Sequence, residues 1–141
     1  MRVLIDTNVI LDFLLSRKPH VKEAKQIFSL ISHDVIKGYT TASSVTDIYY
    51  ITSKILNDNA AREAVKQLLK IIGVVTVTGE DCTNALDLPI TDYEDAVVAV
   101  CADKERFDYI VTNDKVFLQV TANQVLIVSP TEFIRKILEA K

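Results

Sequence analysis

Hydrophobic and polar positions along the chain fall into two rhythms, short unbroken apolar runs and longer stretches with helical spacing. Val3-Leu4-Ile5 is an apolar run that stops at Asp6, and after Thr7-Asn8 the apolar positions resume with helical spacing. This predicts a buried strand, a sharp turn and a helix over about residues 8–15, which Ser16-Arg17-Lys18-Pro19 breaks. Val21, Ala24, Ile27, Phe28 and Ile31 share one face of a second helix, ended by Ser32-His33-Asp34. Residues 36–42 are rich in β-formers and predict a second strand. Ser43-Ser44 then opens a helix carrying Ile48, Ile51 and Ile55, until Asn57-Asp58-Asn59 interrupts it.

A helix over 60–72 is expected to bury Ala61, Val65, Leu68, Leu69 and Ile72 and to stop at Gly73. Val74-Val75-Thr76-Val77 reads as a compact β-branched strand, and 81–88 as a short helix halted by Pro89. The segment starting at Thr91-Asp92-Tyr93-Glu94-Asp95 carries Ala96, Val97, Ala99, Val100 and Cys101, apolar nearly all round, as a central packed helix should be. Residues 107–112 form another strand, ending in Asn113-Asp114. A last strand, 125–128, runs into Ser129-Pro130-Thr131-Glu132, a capping box with proline in the first turn, and then a helix with Phe133, Ile134, Ile137 and Leu138. Strands alternating with helices from end to end predict one three-layer α/β/α domain over 1–141, with a central, mostly parallel sheet of four to five strands.

Composition narrows the class without changing that picture. Hydrophobic residues at 49% and charged residues at 25% are the balance of a globular chain. Charges or turn residues interrupt every apolar run before it reaches a membrane span, and the segment after Met1-Arg2 is too short for a signal peptide. A cytoplasmic protein with no membrane association is expected. Cys82 and Cys101 lack the short spacing of thiolate metal sites and are expected as reduced thiols filling core space. With His20 and His33 the only histidines, neither in a nucleophile motif, histidine-based catalysis is disfavoured. A net charge of -3 draws no polyanion globally, so a nucleic-acid substrate would need a local basic patch or a metal.

The chemistry that stands out is acidic. Asp6, the Asp92-Glu94-Asp95 cluster and Asn113-Asp114 sit where a strand ends or a helix begins, and Asp47 falls in the first turn of the helix after strand two. In a parallel sheet these strand ends share one edge, the edge at which ligands bind. Each acid alone has a local explanation as a cap or turn residue. Four carboxylates in one poorly solvated cleft repel one another unless a cation intervenes, and hard oxygen ligands suit Mg²⁺ or Mn²⁺. Arg62, Lys66 and Lys70 recur every fourth residue, forming either a solvated helix face or a track for a phosphate backbone.

In D-T-N-V-I-L-D at 6–12, E-D-A-V-V-A-V at 94–100 and I-V-T-N-D-K-V-F at 110–117, the chain resembles the PIN-domain ribonucleases. The resemblance implies Asp6, Asp95 and Asp114 as metal-site acids, with Thr7, Asn8, Thr112 and Asn113 as supporting polar groups and Asp92 in reserve. The family's second acid, usually a glutamate, matches Asp47, whose shorter side chain would reach the metal through water. Asn8 is then expected to cap the first helix while Asp6 points into the cleft. The implied activity is Mg²⁺- or Mn²⁺-dependent hydrolysis of RNA, in which the metal activates water and holds the phosphate. Many small members are toxins of toxin-antitoxin pairs and dimerise, which implies an antitoxin partner and a homodimer. A non-catalytic PIN-like module holding RNA or protein is the alternative. Phosphoryl transfer through an aspartyl-phosphate is disfavoured, because that superfamily places a second aspartate where this chain has Asn8.

Overall fold

The computed structural model describes residues 1–121 and 123–140; Ala122 and Lys141, inside the expected domain of 1–141, lie outside that description. β1 (Arg2–Ile5) is followed by α1 (Thr7–Leu14), α2 (Val21–Ser32), β2 (Lys37–Thr41), α3 (Ala42–Ile55), α4 (Asp58–Ile71) and β3 (Gly73–Val75). Then come α5 (Gly79–Ala85), α6 (Tyr93–Lys104), β4 (Tyr109–Val111), a 3₁₀ turn over Phe117–Gln119, β5 (Leu126–Val128) and α7 (Pro130–Glu139).

The five strands form one sheet in the order β3-β2-β1-β4-β5, every neighbouring pair parallel. Parallel strands are covered on both faces, which is why β1 and β4 read as unbroken apolar runs. Val3 and Ile5 face one core with α1, α2, α3, α4 and α7. Leu4 and Ile110 face the other, built from α5, α6 and Phe117. The expected three layers are therefore present, and α6 is buried on most sides, from Asp95 to Ala99 and at Cys101 and Ala102.

Several local expectations change. α1 is capped by Asp6, whose side chain accepts from the Thr7 N–H, and not by Asn8, which lies inside the helix. β2 passes into α3 without a loop, so Thr41 is the cap, accepting from the Ser44 N–H. Asp47 consequently stands in the second turn of α3 rather than the first. Leu69, Ile51 and Ile55 are exposed, because α3 and α4 each turn only one narrow strip inward. Gly73 begins β3; a Cβ there would lie 2.5 Å from the ring of Tyr39, its register partner on β2. Ser129 caps α7 through the Glu132 N–H, but the Glu132 carboxylate pairs with Arg135 instead of completing a box. Cys101 is buried and Cys82 half-buried, both as free thiols.

Candidate functional site

The chain runs β1, β2, β3 outward to one side and returns through β4 and β5 to the other, so the order reverses between β1 and β4. Ligands in open α/β sheets bind outside the carboxyl ends of the strands at such a switch point. A cavity of about 410 Å³ opens there, lined by six acids: Asp6, Asp47, Asp92, Glu94, Asp95 and Asp114. Thr7, Asn8, Leu11, Arg17 and Ile51 complete its wall.

Each acid is delivered by a different local device. Asp6 leaves the last residue of β1 with its backbone N–H bonded to the Val111 carbonyl of β4. Its Oδ1 accepts from the Thr7 N–H at 2.9 Å, and its Oδ2 accepts from the Thr112 hydroxyl at 2.7 Å and the Asn8 amide at 3.1 Å. Asp92 caps α6 by accepting from the Asp95 N–H, which sets Asp92, Glu94 and Asp95 on the first turn. Asp114 spends Oδ1 on the Val116 and Phe117 N–H groups, folding the 3₁₀ turn over the end of β4. Asp47 reaches the cavity from α3.

The polar residues between them form a floor. Thr112, fully buried, donates to Asp6 and accepts from the Asn8 amide and the Asp114 N–H. Asn8 Oδ1 accepts from the Asn113 backbone N–H at 3.0 Å, and the Asn113 side-chain amide donates to Asp12 at 2.9 Å. Thr112 and Asn113 thus hold the acids from beneath rather than lining the cavity themselves.

Crowding shows in the electrostatics. Burial, reinforced by Asp6, Asp92, Asp114 and Glu94, pushes the Asp95 carboxyl up to about 8. Burial and the neighbouring Asp47 carboxylate push Glu94 up to about 7, against the hydrogen bond from Thr7. Asp6 is also raised, by burial first, with the Thr112 and Thr7 hydrogen bonds opposing. Facing carboxylates repel one another and so hold protons more tightly, and a divalent cation would relieve the same repulsion. The donor set is hard oxygen throughout, which fits Mg²⁺ or Mn²⁺. Among the described residues, no three acids, histidines or cysteines are drawn together tightly enough to form a ready-made cage.

The four expected acids, the reserve acid Asp92, Thr7 and Asn8 all meet in this cavity. Glu94, read from the sequence as part of the acidic cluster but given no role of its own, lines it too, and Arg17 was not expected in it. Arg62, Lys66 and Lys70 are exposed on α4 outside the lining, with the Arg62 guanidinium 5.5 Å over the Tyr49 ring of α3.

The family model for the PIN domain matches residues 2–116. Ribonuclease VapC1 of Aquifex aeolicus is 27% identical over 121 residues, covering 82% of this chain and 83% of that protein. Among solved structures, DNA-bound VapBC from Salmonella typhimurium superposes with a TM-score of 0.70 at 14% identity, over 92% of this chain and 98% of that one. VapC20 of Mycobacterium tuberculosis, described as a Sarcin-Ricin loop cleaving toxin, gives 0.66 at 16% identity, over 82% and 92% of the two chains. FitAcB from Neisseria gonorrhoeae gives 0.65 at 16% identity, over 92% and 98%.

Proposed function

The chain belongs to the PIN-domain family, and from that premise we propose that it is a metal-dependent endoribonuclease and the toxin of a toxin-antitoxin pair. The observation that carries this reading is the convergence of Asp6, Asp47, Asp95 and Asp114 on one cavity at the switch point of the sheet. The similarity to a protein named as a ribonuclease and to structures named as VapBC supports it.

Asp6, Asp95 and Asp114 would hold Mg²⁺ or Mn²⁺, with Asp47 completing the shell. Mg²⁺ keeps several waters and needs only one or two direct carboxylates, which suits acids not preassembled into a cage. A bound ion supplies charge neutralisation and water activation at the scissile phosphate. The protein's part is orientation. Thr112 Oγ1 and the Asn8 amide anchor Asp6 Oδ2, and the turn at Val116 and Phe117 anchors Asp114 Oδ1, leaving Oδ2 as the oxygen open to a ligand.

Asp6→Asn should abolish Mn²⁺-stimulated cleavage of single-stranded RNA while the circular dichroism spectrum stays native. Undiminished cleavage by that variant would remove the assignment. The alternative, a non-catalytic module, predicts no acid-dependent Mn²⁺ binding by calorimetry. An antitoxin and a second copy of the chain are the partners in this reading. Tyr50, Ile55 and Leu56, each at least half exposed along the end of α3, support an apolar surface for the second copy. A monomer by sedimentation at tens of micromolar would count against the dimer. Among the described residues no helix is long and apolar enough to cross a membrane, which fits the proposed cytoplasmic location.

A further inference from the structure

Among the described residues Arg17 is the only basic one lining the cavity, facing six acids. It does not arrive there by chance of a flexible side chain. Ser16, past the end of α1, has φ 50°, in the left-handed region that non-glycine residues rarely adopt. That turn brings the Arg17 backbone N–H onto the Asp12 carbonyl at 3.0 Å and folds its side chain back along α1. Nε donates to Asp12 Oδ1 at 2.9 Å, and Nη2 donates to the Asn8 carbonyl at 3.2 Å.

Asp12 is the clamp. Its side chain is only 7% exposed, and its other oxygen accepts from the Asn113 amide. The same asparagine pair, Asn8 and Asn113, joins β1 to β4 beneath Asp6. The arginine is therefore tied into the frame that positions the metal-site acids. Of the five N–H donors of a guanidinium, the two contacts above use two. The terminal fork, with both hydrogens of Nη1 and one of Nη2, makes no hydrogen bond within the described protein, and the side chain remains 38% exposed.

We propose that Arg17 is a substrate-contacting residue that grips an RNA backbone phosphate beside the scissile bond with its terminal fork. This rests on the ribonuclease reading above. A planar guanidinium matches two phosphate oxygens at once, and one already immobilised along its other edge loses little freedom on binding. An ion pair serving only to neutralise Asp12 would not require a fork left open at the cavity wall. In a cleft otherwise acidic, a fixed cation at the rim also supplies the attraction that a polyanion needs beyond the metal.

The test measures binding of a single-stranded phosphorothioate oligoribonucleotide, which resists cutting, with Mn²⁺ in protein that keeps all the cavity acids, across a salt series. Arg17→Met should weaken binding about tenfold to a hundredfold and flatten the plot of log affinity against log salt by about 0.7. Arg17→Lys should keep the slope while losing part of the affinity, because its charge remains and its fork does not. Since Arg17→Met strands the buried Asp12 carboxylate, the pair Asp12→Asn/Arg17→Met is measured beside it. Asp12→Asn alone keeps the cation and should keep the slope. An unchanged slope in both methionine variants, with RNA still cut by the unmutated protein, overturns the role of Arg17 alone. If the unmutated protein neither binds nor cuts RNA, the ribonuclease reading fails and this inference with it.

Discussion

Thr112 shows how much of the site depends on a single hydroxyl. Its Oγ1 donates to Asp6 at 2.7 Å and accepts from the Asn8 amide and the Asp114 N–H, so three site residues share one buried atom. Thr112→Val keeps the shape and deletes the hub, leaving buried polar groups without a partner. The expected cost is about 1–3 kcal/mol in urea denaturation, with reduced RNA cleavage, and Thr112→Ser should recover most of both. Asp95 behaves in the opposite sense. It is buried among Asp6, Asp92, Asp114 and Glu94, so it serves the site at the expense of the fold. Asp95→Asn should raise the melting temperature of the metal-free protein by a few degrees, about 1 kcal/mol, while cleavage is lost. A variant that melts lower would mean that the carboxylate does structural work beyond the cavity.

At the scale of elements, α5 and α6 are fastened by one buried carboxylate. Asp81 completes a capping box with Thr78 on α5 and accepts from Lys104 Nζ at 2.6 Å across the packing with α6. Burial alone would raise the Asp81 carboxyl, but the hydrogen bonds from Lys104 and Thr78 outweigh it and hold the pKa below the usual carboxylate range. The hydrogen bond to Asp81 in turn holds Lys104 above the usual lysine value. A lowered acid contributes stability that is complete above its unfolded pKa, near 3.8, and lost as pH falls through the folded one. A raised lysine contributes below its unfolded value, near 10.5, and loses it as pH climbs through the folded one. Asp81→Asn should therefore cost about 1–2 kcal/mol at neutral pH, and thermal melts of the two proteins should converge toward pH 2–3. A gap that persists unchanged into acid would assign the loss to the cap rather than to the ionised pair.

The same elements mark how far the sequence could be read. The five strands and seven helices of the described residues were legible as alternating rhythms, because a parallel sheet buries its strands on both faces and its helices, apart from the central α6, on one. The acids were legible too, since the ends of β1 and β4 had to share an edge once the sheet was parallel. What stayed hidden depended on contacts between distant residues. The Asn8–Asn113 bond exists only because β1 pairs with β4, and Asn8 cannot cap α1 because the helix already begins at Thr7 with Asp6 as its cap. Arg17 looked like part of a helix break, and only the backbone turn at Ser16 brings it back to Asp12. The direct passage from β2 into α3, which moves Asp47 by a turn, left no trace in residue type, since Thr41, Ser43 and Ser44 are all plausible caps.

For the whole molecule the decisive quantity is charge. A net charge of -3, with six carboxylates around one cavity, repels RNA unless a divalent ion enters first. Metal binding must then be linked to folding, because the unfolded chain scatters those carboxylates and binds the ion far more weakly. At a hundredfold excess over its dissociation constant, Mn²⁺ should stabilise the native state by about 2.7 kcal/mol. For a chain of this length that is a rise in melting temperature of roughly 8 °C. Asp6→Asn should abolish most of the rise, whereas Asp81→Asn should lower the starting temperature and keep the rise intact, since Asp81 lies outside the cavity lining. Equal rises in the unmutated protein and Asp6→Asn would move the metal away from the switch point and remove the physical basis for RNA hydrolysis there.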